Sequence, residues 1–247
     1  FLGAIGFPVL IEVKTYLMKK DPAFRFSLFT KVTTVTYVAL FAFGAVVIFI
    51  IEIFQSFKGM RWHEAVFSAM FHSVSTRSAG LTTYDVTSFN EATQLFMSVL
   101  MFIGASPSSV GGGIRTTTFA IVILFLIAFS RGQSDIQVFN REIHLIDVYR
   151  SFAVLIFAII MVLGAAMVLF ITETSATMIE VIFEITSAFG TCGMSLGITD
   201  ELTAFGKMVI MVLMFVGRVG LISFLYTIGG SSGKKKYHYP KERIIIG

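Results

Sequence analysis

Three stretches of the sequence, residues 34–54, 149–172 and 203–228, are apolar for about 20 residues each, the length a helix needs to cross the hydrocarbon core of a bilayer. In lipid every backbone polar group must be satisfied within the chain, so such stretches leave helices as the one compatible local structure. An ordinary soluble domain carries about 25% charged residues. This chain carries 14%, with 55% hydrophobic residues and a mean hydropathy of +0.84. Those values exclude a disordered, nucleic-acid-coating or ordinary cytosolic protein. A single Cys excludes a disulfide framework and a multi-Cys metal site. The expected fold class is an all-α polytopic membrane protein.

A fourth apolar stretch, residues 93–129, is interrupted at 104–113 by Ser residues, one Pro and three consecutive Gly. A helix interior loses about 1 kcal/mol per Gly and about 3 for Pro relative to Ala, so this helix is expected to be broken. Two shorter pieces, residues 62–75 and 177–189, are too short to span and read as re-entrant or buried half-helices. Thirteen of the 19 Lys and Arg fall in three segments: Lys14 to Lys31, Arg131 to Arg150, and Lys234 to Arg243. The positive-inside tendency puts the linkers 12–32 and 131–148 and the tail 231–247 on the cytoplasmic side. Glu52, Asp85, Glu91, Glu173, Asp200 and Glu201 then fall outside, where an acidic vestibule would concentrate cations.

The chain repeats itself. Val99-Leu100-Met101-Phe102-Ile103-Gly104 matches Val212-Leu213-Met214-Phe215-Val216-Gly217, an offset of 113 residues that also maps Gly80 onto Gly193. Phe1-Leu2-Gly3 resembles the end of both runs. The expectation is that the chain opens inside the last helix of an earlier copy, with at least one further repeat upstream. No basic segment or cleavage site marks the opening as a signal peptide. Duplicated modules of this size suit a channel or transporter. Residues 1–32 read as the end of a second repeat plus a linker, 33–130 as a third repeat, 149–230 as a fourth.

Each half-helix leads into a Gly-containing loop: Ser75-Thr76-Arg77-Ser78-Ala79-Gly80-Leu81 and Phe189-Gly190-Thr191-Cys192-Gly193-Met194-Ser195. Irregular backbone at membrane depth is tolerated only beside protein or a water-filled path. Glycine adopts φ values closed to other residues, which lets successive carbonyls face one axis and replace an ion's water shell. Thr191-Cys192-Gly193-Met194 is a degenerate form of the potassium-filter pattern Thr-Val-Gly-Tyr-Gly, and Ser78-Ala79-Gly80-Leu81 is more degenerate still. Two such loops in register are a specific signal.

Through Phe71-His72-Ser73-Val74-Ser75-Thr76-Arg77-Ser78-Ala79-Gly80, Ser187-Ala188-Phe189-Gly190-Thr191-Cys192-Gly193-Met194-Ser195 and Gly111-Gly112-Gly113-Ile114-Arg115-Thr116-Thr117, the chain resembles the Trk/Ktr/HKT superfamily of cation transport subunits, most of all the bacterial KtrB type. The resemblance implies four helix–pore loop–helix units around one pseudo-fourfold, potassium-channel-like pore, with half of it present here. It makes Gly80 and Gly193 filter glycines and the carbonyls of Ser78, Ala79, Thr191 and Cys192 the ligands of a transported K⁺, with Na⁺ as a second candidate ion. It makes residues 105–115, with Gly111, Gly112 and Gly113, an intramembrane gate, and Arg218 a pore cation that holds it. It also implies a homodimer and a cytoplasmic ring of nucleotide-binding regulatory subunits of the KtrA type. The resemblance covers K⁺-selective and sodium-permeable relatives alike, and the deciding residue lies in the first unit.

Apart from the resemblance, Arg77 is expected to brace its loop through carbonyls or Glu184. Glu64, Glu180 and Glu184 are expected to brace the filters through backbone N–H groups. His72 reads as a buried structural side chain and Cys192 as packed behind the filter. The basic tail reads as a juxtamembrane lipid anchor, and Ile244-Ile245-Ile246 suits a protein contact. An intramembrane enzyme built on His72, Glu184 or Cys192 is the rival class, and no Walker, dinucleotide or zinc motif supports it. An enzyme needs one asymmetric constellation, whereas this sequence shows equivalent loops.

Overall fold

A computed structural model describes residues 2–19, 24–133, 135–221 and 223–224. The tail 231–247, with its expected lipid and subunit contacts, lies outside the described residues. The elements in chain order are α1 (Leu2–Ile5), α2 (Phe7–Lys19), α3 (Leu28–Glu52), α4 (Trp62–Ser75), a 3-10 turn (Val86–Ser88), α5 (Glu91–Phe102), α6 (Thr116–Ser130), an antiparallel hairpin β1 (Gln137–Val138) and β2 (Arg141–Glu142), α7 (Leu145–Thr172), α8 (Met178–Gly190) and α9 (Ala204–Val219).

The helices α3 and α7 are each long and apolar enough to cross a membrane. On α7, Ile156, Ile160, Leu163, Met167 and Ile171 form an exposed stripe, and Val35, Phe43, Val46 and Ile50 are exposed on α3. Apolar surface of that extent marks contact with lipid or protein. By contrast α8 is buried at every position from Phe183 to Gly190. At about 1.5 Å per residue it is about 20 Å long, short of the roughly 30 Å of hydrocarbon. It is a half-helix inside the bundle, and α4 is its counterpart.

Two units therefore follow one plan: long helix, half-helix, loop, helix. They meet along a seam where Met97 and Met101 of α5 pack with Phe183 of α8 and with Cys192 and Met194. Truncating a buried aromatic such as Phe183 to Ala costs about 3–5 kcal/mol. Within each unit the same device ties the first helix to the last. The buried Glu52 carboxylate accepts from the N–H of Asn90 at 3.0 Å, and Asn90 caps α5 through Ala92 N at 2.8 Å. The Glu173 carboxylate accepts from the Thr203 N–H at 3.2 Å and hydroxyl at 2.6 Å, and Thr203 caps α9 through Gly206 N at 3.1 Å. Asn90 and Thr203 are one repeat apart. Glu52 and Glu173 thus leave the expected vestibule: they are buried helix clamps. Asp85, Glu91, Asp200 and Glu201 remain exposed. At Asp85 the backbone N–H and hydroxyl of Thr87 hold the carboxyl below its ordinary range.

The broken helix is where the sequence places it, between α5 and α6. The last helix departs from expectation. Within the expected run to residue 228, α9 is interrupted after Val219, where Gly220 has φ +92°, and Leu221, Ser223 and Phe224 are helical again. Gly6, with φ +98°, breaks the first copy between α1 and α2 at the matching position.

Candidate ion pathway

The first loop is gathered on one carbonyl. Ser75 O accepts from the N–H groups of Ser78 (3.4 Å), Ala79 (3.2 Å) and Gly80 (3.2 Å), and from Cys192 Sγ of the other loop at 3.2 Å. The Ser75 hydroxyl donates to Leu81 O. Cys192 is buried, so its side chain stitches the two loops together from behind.

The backbone then takes left-handed values at both register-matched glycines, +64° at Gly80 and +92° at Gly193, and at Thr191 (+51°). At Gly80 the approach is close as well: a Cβ there would stand 2.2 Å from Cys192 O. Only glycine fits that contact, and it sets the loops side by side. Among the described residues no hydrogen bond ends on the carbonyls of Ser78, Ala79, Thr191 or Cys192, while Ala79 and Gly193 are exposed. Buried or membrane-depth carbonyls are normally paired. These four are backbone acceptors left without a hydrogen bond among the described residues.

Directly against these loops lies the interruption of the third-unit helix, residues 103–115. The Gly112 N–H donates to Gly190 O at 3.2 Å. A Cβ on Gly112 would stand 2.7 Å from the Thr191 side chain, and one on Gly111 would stand 3.0 Å from Arg77 O. The glycine run is buried and touches both glycine-containing loops. The rest of the interruption is tied on three other sides. Ser106 N and Val110 N donate to Ala4 O (3.0 Å) and Gly3 O (3.3 Å), and Thr116 N donates to Ala105 O at 3.3 Å. The guanidinium of Arg218 on α9 donates to Val110 O, and that of Arg115 donates to Gly111 O. Two cations thus hold adjacent carbonyls of one loop.

Other expected residues fall elsewhere. Arg77 does not meet Glu184. It is 1% exposed, rests over the Tyr37 ring at 5.6 Å, and donates at 3.4 Å to Ile103 O and Gly104 O, where the broken helix begins. Glu184 accepts from the Thr199 hydroxyl at 2.6 Å, and Thr199 meets Ser195 at 2.8 Å, so it steadies the segment leaving the second glycine loop. Glu64 and Glu180 do not brace the glycine loops: each caps the start of its half-helix, accepting from Arg61 N at 3.4 Å and Thr177 N at 2.8 Å. His72 is fully buried, its ring nitrogens 3.0 Å from Ser68 O and 3.3 Å from Tyr84 O, which ties α4 to the loop outside it. Among the described residues no group of three or more His, Cys, Asp or Glu could hold a metal ion. Sequence reasoning missed the Arg115 contact and the paired Glu clamps. The signal for the clamps was present: two acids at helix ends, opposite two capping residues one repeat apart.

Over residues 1–231 the sequence matches the TrkH family of cation transport proteins. The chain belongs to that family. It is 52% identical to Ktr system potassium uptake protein D of Bacillus subtilis, over 99% of this chain and 54% of that protein. Ktr system potassium uptake protein B of the same organism is 34% identical over 99% of this chain and 54% of its own length. Potassium/sodium uptake protein NtpJ of Enterococcus hirae is 31% identical, covering 99% and 55%. The fold is similar to the potassium transporter TrkH of Vibrio parahaemolyticus, with a TM-score of 0.71 and 17% identity over 92% of this chain and 49% of that one. The chain spans about half the length of the relatives it matches. These TrkH-family relatives are membrane transport proteins, not enzymes.

Proposed function

We propose that this chain forms two of the pore units of a potassium uptake subunit: residues 33–130 and 149–230 are the units, 105–115 the gate. The observation that carries this is the set of unused carbonyls on Ser78, Ala79, Thr191 and Cys192, on two loops matched by sequence offset and by glycine φ. A dehydrated cation takes such carbonyls in place of water. The names of the relatives at 52% and 34% identity favour potassium as that cation. The name of the relative at 31% keeps sodium as the second ion.

Below the filter, the glycine run occupies the space an ion would leave through. Arg218 and Arg115 hold it there and add a positive barrier. Movement of this loop opens the path, and the membrane potential supplies about 2.3 kcal/mol per charge per 100 mV. The Ktr relatives are named as parts of a system. A homodimer and a nucleotide-binding ring on the cytoplasmic linkers and tail complete this reading.

The test is radioactive rubidium uptake in cells lacking their own potassium systems, using a full-length subunit that contains this sequence. Saturable uptake that potassium suppresses better than sodium supports the reading. Equal suppression by sodium favours the sodium-permeable alternative. No uptake from a subunit present in the membrane contradicts transport.

A further inference from the structure

One register position of the two filter loops carries opposite extremes of size: Arg at 77 and Gly at 190. Both touch the loop beneath them, by different routes. Gly190 offers its carbonyl to Gly112 N at 3.2 Å. No side chain fits there, since a Cβ would stand 2.3 Å from Met101 O of α5. Arg77 instead sends its side chain to the root of the broken helix, with Nη1 at 3.4 Å from both Ile103 O and Gly104 O. Its own carbonyl lies against Gly111. A single filter residue therefore touches both the root of the gating loop and its glycine run.

The way Arg77 is held is unusual for a brace. A guanidinium has five N–H donors. Here the two hydrogen bonds are long, and Nε and Nη2 are buried without an acceptor among the described residues. A buried cation with unfilled donors is costly, and ionisable groups kept at membrane depth mark functional positions. Donors in reserve beside a movable loop can follow its carbonyls or exchange them. The Tyr37 ring on α3 supplies a fixed platform from which the guanidinium does so.

We infer that Arg77 is a positioning residue that couples the gate to the filter, so that ion selectivity depends on whether the loop is seated. With residues 103–115 in place, Arg77 ties Ile103 and Gly104 to the strand carrying the Ser78 and Ala79 carbonyls. When the loop leaves, that strand loses its tie. Among the described residues the fourth unit has no such arm: its loop meets residues 103–115 through the Gly112 N–H to Gly190 O hydrogen bond and the close approach of Gly112 to Thr191. The inference rests on the gating reading above and names what the gate acts on.

The experiment compares potassium and sodium as competitors of rubidium uptake by the full-length subunit. The variants are R77K and Y37L, each with and without deletion of Gly111-Gly112-Gly113, with membrane abundance measured in parallel. Lysine keeps the charge and loses the planar fork. Tyr37→Leu removes the platform and leaves Arg77 in place, and it decides the matter should R77K fail to reach the membrane. With the loop present, the preference for potassium falls about fivefold or more, the lower end of couplings between sites. In the deletion background the same substitution changes it by less than about twofold, as expected once the coupled partner is gone. Equal losses in both backgrounds, or none in either, overturn the coupling and leave the gate standing. A deletion that by itself leaves uptake unchanged contradicts the gate, and the coupling falls with it.

Discussion

The two second helices of the repeat enter alike and part ways after a shared glycine. In the third unit Phe102-Ile103-Gly104 opens into residues 103–115, and helix resumes only at Thr116. In the fourth, Phe215-Val216-Gly217 carries on for two more residues and breaks at a single glycine, Gly220. The scaffold around both is the same, down to the Glu clamp on each helix start. A duplicated frame thus positions two register-matched glycine loops, while the non-helical residues 103–115 of one copy lie against both. Arg218, from the copy with the simpler break, donates to Val110 O in the non-helical segment of the other.

The sharpest way to break this comparison is at the register-matched glycines Gly80 and Gly193, which share a φ sign but not surroundings. Gly80→Ala drives a methyl into Cys192 O, 2.2 Å away, and separates the loops. Rubidium uptake is expected to fall to background, with loss of discrimination against sodium. Gly193→Ala meets no described atom within 4 Å. It carries only the left-handed penalty, about 1–2 kcal/mol, and retains measurable uptake. Equal loss in both would show that the side-by-side packing at Gly80 is irrelevant.

A smaller effect is expected where the copies hold the gate. Arg218→Gln removes a charge-assisted bond to Val110 O, an interaction worth about 1.5–3 kcal/mol, so basal uptake should rise about tenfold or more. Arg115→Gln should raise it less, because Arg115 lies within the broken segment's own re-entry and does not bridge the two units. Rubidium uptake under non-activating conditions checks both, and a fall in R218Q would contradict the holding role.

The smallest effects should come from the helix caps, the larger of them at Thr203, whose hydroxyl also donates to Glu173. Asn90→Ala and Thr203→Ala each remove a helix cap, a change of about 1 kcal/mol, read as lost thermal stability of the purified protein. Glu173 adds a pH signature. Hydrogen bonds from Thr203 hold its carboxyl below the ordinary range. Its contribution is therefore present above the unfolded carboxylate pKa and is lost as pH falls through the lower folded value. Acidification should lower thermal stability, and Glu173→Gln should flatten that dependence. An unchanged slope in the variant would assign the acid sensitivity elsewhere.

How far the sequence alone reaches differs along the chain for physical reasons. The half-helix at 62–75 is legible to the residue, because its apolar face stops where polar loop residues begin. The broken helix is legible because three glycines and a proline outweigh any apolar pattern. The break at Gly220 is not, since Gly44 and Gly164 sit undisturbed inside long helices and look no different in sequence. The clamps join residues 38 and 30 positions apart and convert exposed-looking acids into buried ones, which no local pattern reports. Arg77 reads as a brace, but the reach of a guanidinium covers many carbonyls. Only packing against Tyr37 selects those of Ile103 and Gly104.

The most direct test of the account is potassium-competed rubidium uptake by the full-length subunit with Gly111-Gly112-Gly113 deleted. The account predicts that uptake rises several-fold, with potassium still the better competitor but by a smaller margin over sodium than in the wild type. Unchanged or abolished uptake, with the deleted subunit present in the membrane at wild-type abundance, would contradict a gate seated beneath these two loops.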